Sequence, residues 1–134
     1  MTPELNEFLA ITDTVTQERI DTYAELSTDF NPLHVDPEAA AASEFGGIIA
    51  HGPIALHAFF RAMTGWLGVD ALPAGSTVSV AYRAPTRPDD EVTCELREMT
   101  EIEPGKFELS AECLTQDGTV VVSVRATVTV PEAA

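Results

Sequence analysis

The hydrophobic pattern of this chain changes its period near residue 70, and this change constrains the fold more than any other feature. Between residues 51 and 67, apolar side chains recur at the three- and four-residue spacing of a helix. From residue 77 onward they alternate with polar side chains, which is typical of strands that bury one face. The pattern therefore predicts one long helix followed by four strands, at 77–83, 92–97, 107–113 and 120–130.

The segments around this helix complete the predicted architecture. Leu9, Ile11 and Val15 suggest a first strand, Thr16 is a credible cap for a short helix, and Pro37 suits the start of a small helix at 38–42. The helix at 51–67 is apolar on almost every side, which favours burial, and a sheet with one apolar face needs such an element to cover. We therefore predict an α+β protein: a single hot-dog domain over residues 1–134, with an antiparallel sheet wrapped around a central buried helix.

Charge and length limit the classes of function. A chain of 134 residues fits one domain, and its net charge of −15, with Lys106 as the single lysine, argues against binding to nucleic acid or to an anionic membrane. No apolar run approaches the roughly 20 residues of a membrane span, and the N-terminus lacks a signal-peptide pattern. We therefore expect a cytoplasmic protein in which Cys94 and Cys113 are reduced core residues.

Most residues whose side chains could take part in catalysis lie between Tyr23 and Gly52. Asp29 and His34 are separated by Pro32, which disfavours a regular helix through this segment. The spacing predicts a stiff loop that holds one carboxylate and one imidazole close together, as an acid/base pair. The spacing alone also fits a loop in which Asp29 only accepts hydrogen bonds from backbone amides.

No metal site is predicted from these residues. A calcium loop that began at Asp29 would place His34 where glycine belongs and Ala40 where a bidentate glutamate belongs. The three histidines show no zinc-type spacing with a carboxylate. The chain also lacks the Gly-x-Ser-x-Gly motif of serine hydrolases and a phosphate-binding glycine loop.

Two motifs resemble those of one enzyme family. Ser27-Thr28-Asp29-Phe30-Asn31-Pro32-Leu33-His34, followed by Ala50-His51-Gly52, is similar to the MaoC-like, (R)-specific enoyl-CoA hydratase family in order and separation. The resemblance implies a hydro-lyase that reversibly hydrates a trans-2-enoyl thioester to the (R)-3-hydroxyacyl thioester. It implies no metal or redox cofactor, with coenzyme A or phosphopantetheine as part of the substrate. A homodimer, or a heterodimer with a second hot-dog subunit, is expected.

The resemblance also implies roles for individual residues. Asp29 and His34 would be the catalytic pair, and the backbone N–H of Gly52 would polarise the thioester carbonyl. The candidate substrate-binding residues are Asn31, Phe60 and Met63. Asn31 also suits a role in shaping the loop, and the bulk of Phe60 on the central helix predicts a preference for short acyl chains.

Three residues depart from the family pattern, and other residues have structural interpretations. Phe60 lies on the central helix at a position where smaller residues often line the acyl pocket. Thr28 stands where glycine is frequent, a difference expected to have no consequence, and Pro53 removes one N–H from the helix start. We interpret His51 and His57 as structural histidines. The cations able to offset the acidic charge near substrate phosphates are Arg61, Arg83, Arg87 and Lys106.

Three other functions stay open at this level. The chain could be the catalytic subunit of a heteromeric 3-hydroxyacyl-thioester dehydratase, a hot-dog thioesterase, or a non-catalytic subunit that binds acyl thioesters. The presence of Asp29, His34 and Gly52 argues against the last function. A turnover assay separates a catalyst from a binding subunit.

Overall fold

The computed structural model describes residues 10–130, which form one five-stranded antiparallel sheet and four helices. In chain order the elements are β1 (Ile11–Thr14), α1 (Gln17–Ser27), α2 (Pro32–Val35), α3 (Pro37–Ala41), α4 (Gly52–Leu67), β2 (Thr77–Tyr82), β3 (Glu91–Glu103), β4 (Lys106–Leu114) and β5 (Val120–Thr129). The strands lie in the order β1-β3-β4-β5-β2. The predicted helix, the four later strands and the early strand are therefore confirmed, although Leu9 lies outside the described residues.

Two hairpins build the centre of the sheet. β3, β4 and β5 are joined by short turns, the second of which contains Asp117 and a left-handed Gly118, an Asp-Gly pair that is typical of hairpins. β2 then pairs antiparallel with β5, and β1 pairs antiparallel with β3. β1 and β2 are therefore the two edges of the sheet.

Helix α4 packs against the inner face of the sheet and supplies much of the core. Its buried residues are Ala55, Leu56, Ala58, Phe59, Ala62 and Met63. The strand residues that face it are the apolar members of each alternating run, and nearly all of these are buried in β4 and β5. Gly68, in the left-handed conformation, ends the helix. The predicted α+β hot-dog arrangement is confirmed.

The burial of α4 differs in one respect from the prediction. Only one face is buried, whereas Pro53, His57, Arg61 and Gly65 are exposed on the other. This side of the helix faces α1 across an open groove, and α1 covers it only in part. The apolar residues of α4 therefore have two roles: some pack in the core, and others line the open groove beside α1.

Strand β3 is longer than the alternation predicted. It continues to Glu103, and a bulge between Leu96 and Glu98 shifts its register with β4. Beyond the bulge most side chains are exposed, because this half of the strand extends past the core. Without a buried face, the apolar alternation that identifies a strand is lost.

Two further expectations concern the cysteines and the domain limits. Cys94 and Cys113 are register partners on β3 and β4, and both are buried and free, as predicted. The hydrogen bond with Cys113, together with burial, raises the pKa of the Cys94 thiol. Among residues 10–130, no helix has the length and apolarity needed to cross a membrane. A single domain over residues 1–134 stays a prediction.

Candidate active site

The loop that carries Asp29 begins where α1 ends and is stiffened by a chain of local hydrogen bonds. The backbone N–H of Asn31 donates to Asp29 Oδ1 at 3.2 Å, and the backbone N–H of Leu33 donates to Asn31 Oδ1 at 3.0 Å. Pro32 then starts the short helix α2, which the sequence pattern missed because four residues are too few to show a period. The predicted stiff loop is present, with one added helical turn.

His34 lies on α2 and is oriented by a backbone carbonyl. Its Nδ1 is 2.7 Å from the carbonyl oxygen of Ile49. Because a carbonyl can only accept, Nδ1 carries the hydrogen, and the lone pair of Nε2 is left available. Nε2 lies 3.9 Å from Asp29 Oδ2, so the structure brings the predicted pair together. This separation is too long for a direct hydrogen bond and leaves room for a water molecule bound to both groups.

His51 connects this pair to the start of α4. Its ring stacks on the ring of His34, with centroids 3.8 Å apart and planes inclined by 28°. Its Nε2–H donates to the backbone carbonyl of Asp29 at 3.0 Å, and the ring of Tyr23 lies 4.7 Å away. Sequence analysis missed this arrangement, since no local pattern shows that His51 meets a loop 22 residues earlier.

Gly52 is the first residue of α4 and carries the exposed end of the helix dipole. Its N–H has no acceptor within the helix, and Pro53 has no N–H, so Gly52 is the principal donor at this end. The ring of Tyr82 lies against it: a Cβ at Gly52 would be 2.7 Å from Tyr82 Cε1. Partial burial and then the neighbouring Tyr23 raise the pKa of Tyr82, which keeps its hydroxyl protonated.

Two depressions meet at the start of α4. The first, which we call the catalytic cleft, has a volume of about 430 Å³ and is lined by residues that include His34, Gly52, Tyr82 and Arg83. The second, which we call the helix groove, lies between α1 and α4 and has a volume of about 640 Å³. Pro53 lines both.

The three predicted substrate-binding residues have different surroundings. Asn31 caps α2 and shapes the loop through its own side chain. Phe60 is half-buried and lines the helix groove. Met63 is fully buried in the core and lines neither depression. The structure therefore places Phe60, but not Met63, where it could contact a bound acyl chain.

Asp29, His34 and His51 also deserve comparison with a metal site. Each offers one potential ligand atom, and these atoms lie within 4.8 Å of one another. His34 Nδ1 and His51 Nε2 are already engaged as donors to backbone carbonyls. The remaining lone pairs lie in nearly parallel ring planes, whereas zinc ligation needs lone pairs that converge on one point about 2.0–2.1 Å away. The geometry therefore favours acid/base chemistry over metal binding.

Of the four cations considered for phosphate binding, Arg83 is the one that lines the catalytic cleft. Its Nε donates to Ser123 Oγ at 3.2 Å, which leaves the other guanidinium nitrogens uncommitted. Arg61 pairs with the buried carboxylate of Asp13, and Arg87 donates to the carbonyl of Phe45. Lys106 lies at the β3–β4 turn, away from the cleft.

Comparison with known proteins identifies the family. The profile of the MaoC like domain matches residues 5–117. The (R)-specific enoyl-CoA hydratase of Aeromonas caviae is 36% identical over 114 residues, which cover 81% of each chain. The enzyme of the same name from Rhodospirillum rubrum is 31% identical over 126 residues, 91% of this chain and 84% of that one. The solved (R)-hydratase from A. caviae has a TM-score of 0.79 at 30% identity, covering 92% of this chain and 93% of its own. The chain therefore belongs to the MaoC-like domain family.

Proposed function

We propose that the protein is a hydro-lyase that reversibly adds water to a trans-2-enoyl thioester and forms the (R)-3-hydroxyacyl thioester. The observation that carries this proposal is the pair of His34 Nε2 and Asp29 Oδ2, 3.9 Å apart, close to the free N–H at the start of α4. Two relatives that cover most of the chain are named (R)-specific enoyl-CoA hydratase, which supports the same reaction.

The pair can bind and activate one water molecule. A water between Asp29 and His34 donates one hydrogen to the carboxylate and the other to Nε2. His34 takes a proton as the water oxygen bonds to C3 of the enoyl group, and the same pair then returns a proton to C2. Both new bonds form on the side of the substrate that faces the pair. A positioned acid or base of this kind contributes roughly 10²–10⁴-fold in rate.

The start of α4 can hold the charge that develops during the addition. Attack at C3 moves electron density onto the thioester carbonyl oxygen, which becomes enolate-like until C2 is protonated. The N–H of Gly52 lies at the positive end of a 16-residue helix and borders the same cleft as His34, so it can donate to this oxygen. The absence of a side chain at Gly52 leaves room for the ring of Tyr82, which lies against this residue. The phenol of Tyr82 borders the same space as a further donor.

The two depressions suggest how the substrate lies. We place the thioester and the start of the pantetheine arm in the catalytic cleft, where Arg83 can meet a phosphate in an otherwise acidic protein. We place the acyl chain in the helix groove, which is lined by Tyr23, Leu26, Ile54 and Phe60. The ring of Phe60 then limits the length of the chain, which favours short substrates.

We further propose that the active form is a homodimer joined along β2. This strand is an edge of the sheet, with one row of backbone groups unpaired. Four large apolar side chains are strongly exposed among residues 10–130, and three of them belong to the site region: Leu26 lines the helix groove, Tyr82 lines the catalytic cleft and Phe30 follows Asp29. A second subunit would cover this patch and deepen the cleft. Light scattering of the purified protein measures the mass of the assembly, and a monomer would contradict this part of the proposal.

We propose that the reaction uses no metal or redox cofactor. We also propose that the protein is cytoplasmic. Two thiols that face each other across adjacent strands but are not bridged fit a reducing compartment. The substrate contributes coenzyme A or phosphopantetheine. The proposal does not include nucleic acid or a membrane as a partner, because the net charge of −15 repels both anionic surfaces.

The decisive experiment is a turnover assay with site variants. Crotonyl-CoA is supplied, and the loss of enone absorbance is followed together with the release of free thiol. Asp29→Asn and His34→Ala should each lower turnover roughly 10²-fold or more, and the double variant should be little worse than either single one. Asp36→Asn is the matched control, because Asp36 caps α3 in the same segment and lines neither the catalytic cleft nor the helix groove.

Three results would contradict the proposed reaction. Near-native turnover by either single variant would remove the pair from the mechanism. Release of free thiol without loss of the double bond would indicate a thioesterase. The absence of any reaction across a panel of short, long and branched enoyl thioesters would leave a binding subunit as the function.

A further inference from the structure

We infer that His51 is a positioning residue that keeps Asp29 and His34 in place relative to the N–H of Gly52. This inference rests on the proposed function for its kinetic test, but the contacts that define it can be measured without turnover. His51 is 3% exposed and lies between the two catalytic parts of the site. It contacts the loop through a hydrogen bond and His34 through its ring face.

The hydrogen bond from His51 fixes the peptide group of Asp29. The carboxylate itself is half exposed, and among residues 10–130 its only backbone donor is the N–H of Asn31 within the same loop. The peptide, by contrast, is held on both sides: its N–H donates to Ser27 Oγ at 3.2 Å, and its carbonyl accepts from His51 Nε2. His51 is therefore the link that ties the position of Asp29 to α4 and not only to its own loop.

The ring stack restricts the orientation of His34. Its Nδ1–H is fixed to the carbonyl of Ile49, which defines one edge of the ring. The ring of His51 covers one face at 3.8 Å, which limits tilting about that hydrogen bond. Together the two contacts keep Nε2 directed toward Asp29, where a shared water would bind.

A role in capping or simple packing does not explain a histidine at this position. His51 occupies the N-cap of α4, but its side chain makes no capping hydrogen bond, which serine or aspartate would supply. Its Nδ1 is buried and has no partner among the described residues. A buried nitrogen without a partner is unfavourable, and an apolar side chain would fill the same space without it. The part of the ring that an apolar side chain could not replace is therefore Nε2, which donates to the carbonyl of Asp29.

Three substitutions separate the hydrogen bond from the stack. His51→Gln places an amide N–H near the position of Nε2 but removes the ring, whereas His51→Phe keeps a ring and removes the donor. His51→Asn places its amide near Nδ1 and cannot reach Asp29. We expect His51→Gln to keep kcat within about fivefold, and His51→Phe and His51→Asn to lose about 10- to 100-fold with little change in KM.

A buried substitution can also act by loosening the whole protein, and Val92→Ala controls for this. Val92 is buried in β3, so its truncation lowers Tm without touching the site, and kcat measured well below Tm should stay at the wild-type value. The inference is overturned if His51→Phe retains wild-type kcat. It is also overturned if Val92→Ala, with a Tm lowered as far as that of His51→Phe, loses as much activity as His51→Phe. The same holds if the kcat of His51→Gln falls as far as that of His51→Phe.

A spectroscopic measurement keeps the inference testable if the variants fail to fold or the wild type shows no turnover. The ¹⁵N resonances of the imidazoles report which ring nitrogen carries hydrogen. In the wild type, His51 should be the Nε2–H tautomer and His34 the Nδ1–H tautomer. An Nδ1–H tautomer at His51 would refute the bond to Asp29. Absence of turnover with the expected tautomers would instead refute the proposed reaction and leave the contact established.

Discussion

Adding one methyl group to Gly52 tests how the start of α4 is built. A Cβ at this residue would lie 2.7, 2.9 and 3.0 Å from three ring carbons of Tyr82. Ordinary contact begins near 3.4 Å, so the ring has to retreat by about 0.7 Å or tilt away. Tyr82 is 53% exposed in the single subunit, is the last residue of β2 and lines the catalytic cleft, so its ring can tilt into the cleft even where a second subunit covers the strand edge. We therefore expect Gly52→Ala to fold.

The stability loss should be small and the kinetic loss larger. Overpacking typically costs about 1–3 kcal/mol, and a movable ring places this site near 1 kcal/mol, which lowers Tm by roughly 4 °C in a domain of this size. Turnover should fall about 10-fold for Gly52→Ala, because the displaced phenol narrows the approach to the N–H. Gly52→Val should lose at least about 10²-fold, comparable with the loss of one oxyanion donor.

A double-substitution cycle with Tyr82→Ala supplies the control. Removing the ring creates space for the added methyl group, so Gly52→Ala should cost no stability in the Tyr82→Ala background. Thermal unfolding of the four proteins measures the coupling, and initial rates on crotonyl-CoA measure turnover. If Gly52→Ala lowers Tm equally in both backgrounds, the ring of Tyr82 does not lie against Gly52. If Gly52→Val turns over at the wild-type rate, the thioester carbonyl is held elsewhere.

Two further predictions test how the substrate is placed. Arg83→Gln should raise KM for crotonyl-CoA about 3- to 10-fold, the loss of one charge-assisted contact, and leave KM for the phosphate-free N-acetylcysteamine thioester unchanged. An equal change with both substrates would exclude a phosphate contact. Phe60→Ala should raise the rate on longer enoyl thioesters relative to the four-carbon substrate, because it opens the helix groove. Superimposable chain-length profiles would mean that Phe60 only supports the core.

The elements with strong local signals were predictable almost to the residue. The central helix was predicted at 51–67 and runs from Gly52 to Leu67, because Pro53 suits its first turn and Gly68 its end. The strands over the core were also predictable, because their residues alternate between a more buried and a more exposed face. The outer half of β3 was missed because it covers no core, so selection for burial leaves no pattern there.

The site was predictable only where it is local. Asp29 lies on the loop and His34 on the short helix α2 that follows it, and Pro32 between them restricts the chain enough to predict their proximity. The contacts of His51 with Asp29 and of Tyr82 with Gly52 join separate elements, and they arise only when α4, α1 and β2 are packed together. No local pattern indicates which side chains will meet in this way.

The backbone conformation of Thr28 shows what it costs to have threonine in place of glycine at this position. It has φ 63° and ψ 18°, the left-handed conformation that explains why glycine is frequent there. For a β-branched residue this conformation is unfavourable by roughly 1–2 kcal/mol, so the expectation of no consequence is corrected. The strain lies directly before Asp29, whose peptide is held by Ser27 Oγ and His51 Nε2. These two hydrogen bonds hold the peptide group that follows Thr28 and therefore oppose a change of its left-handed conformation.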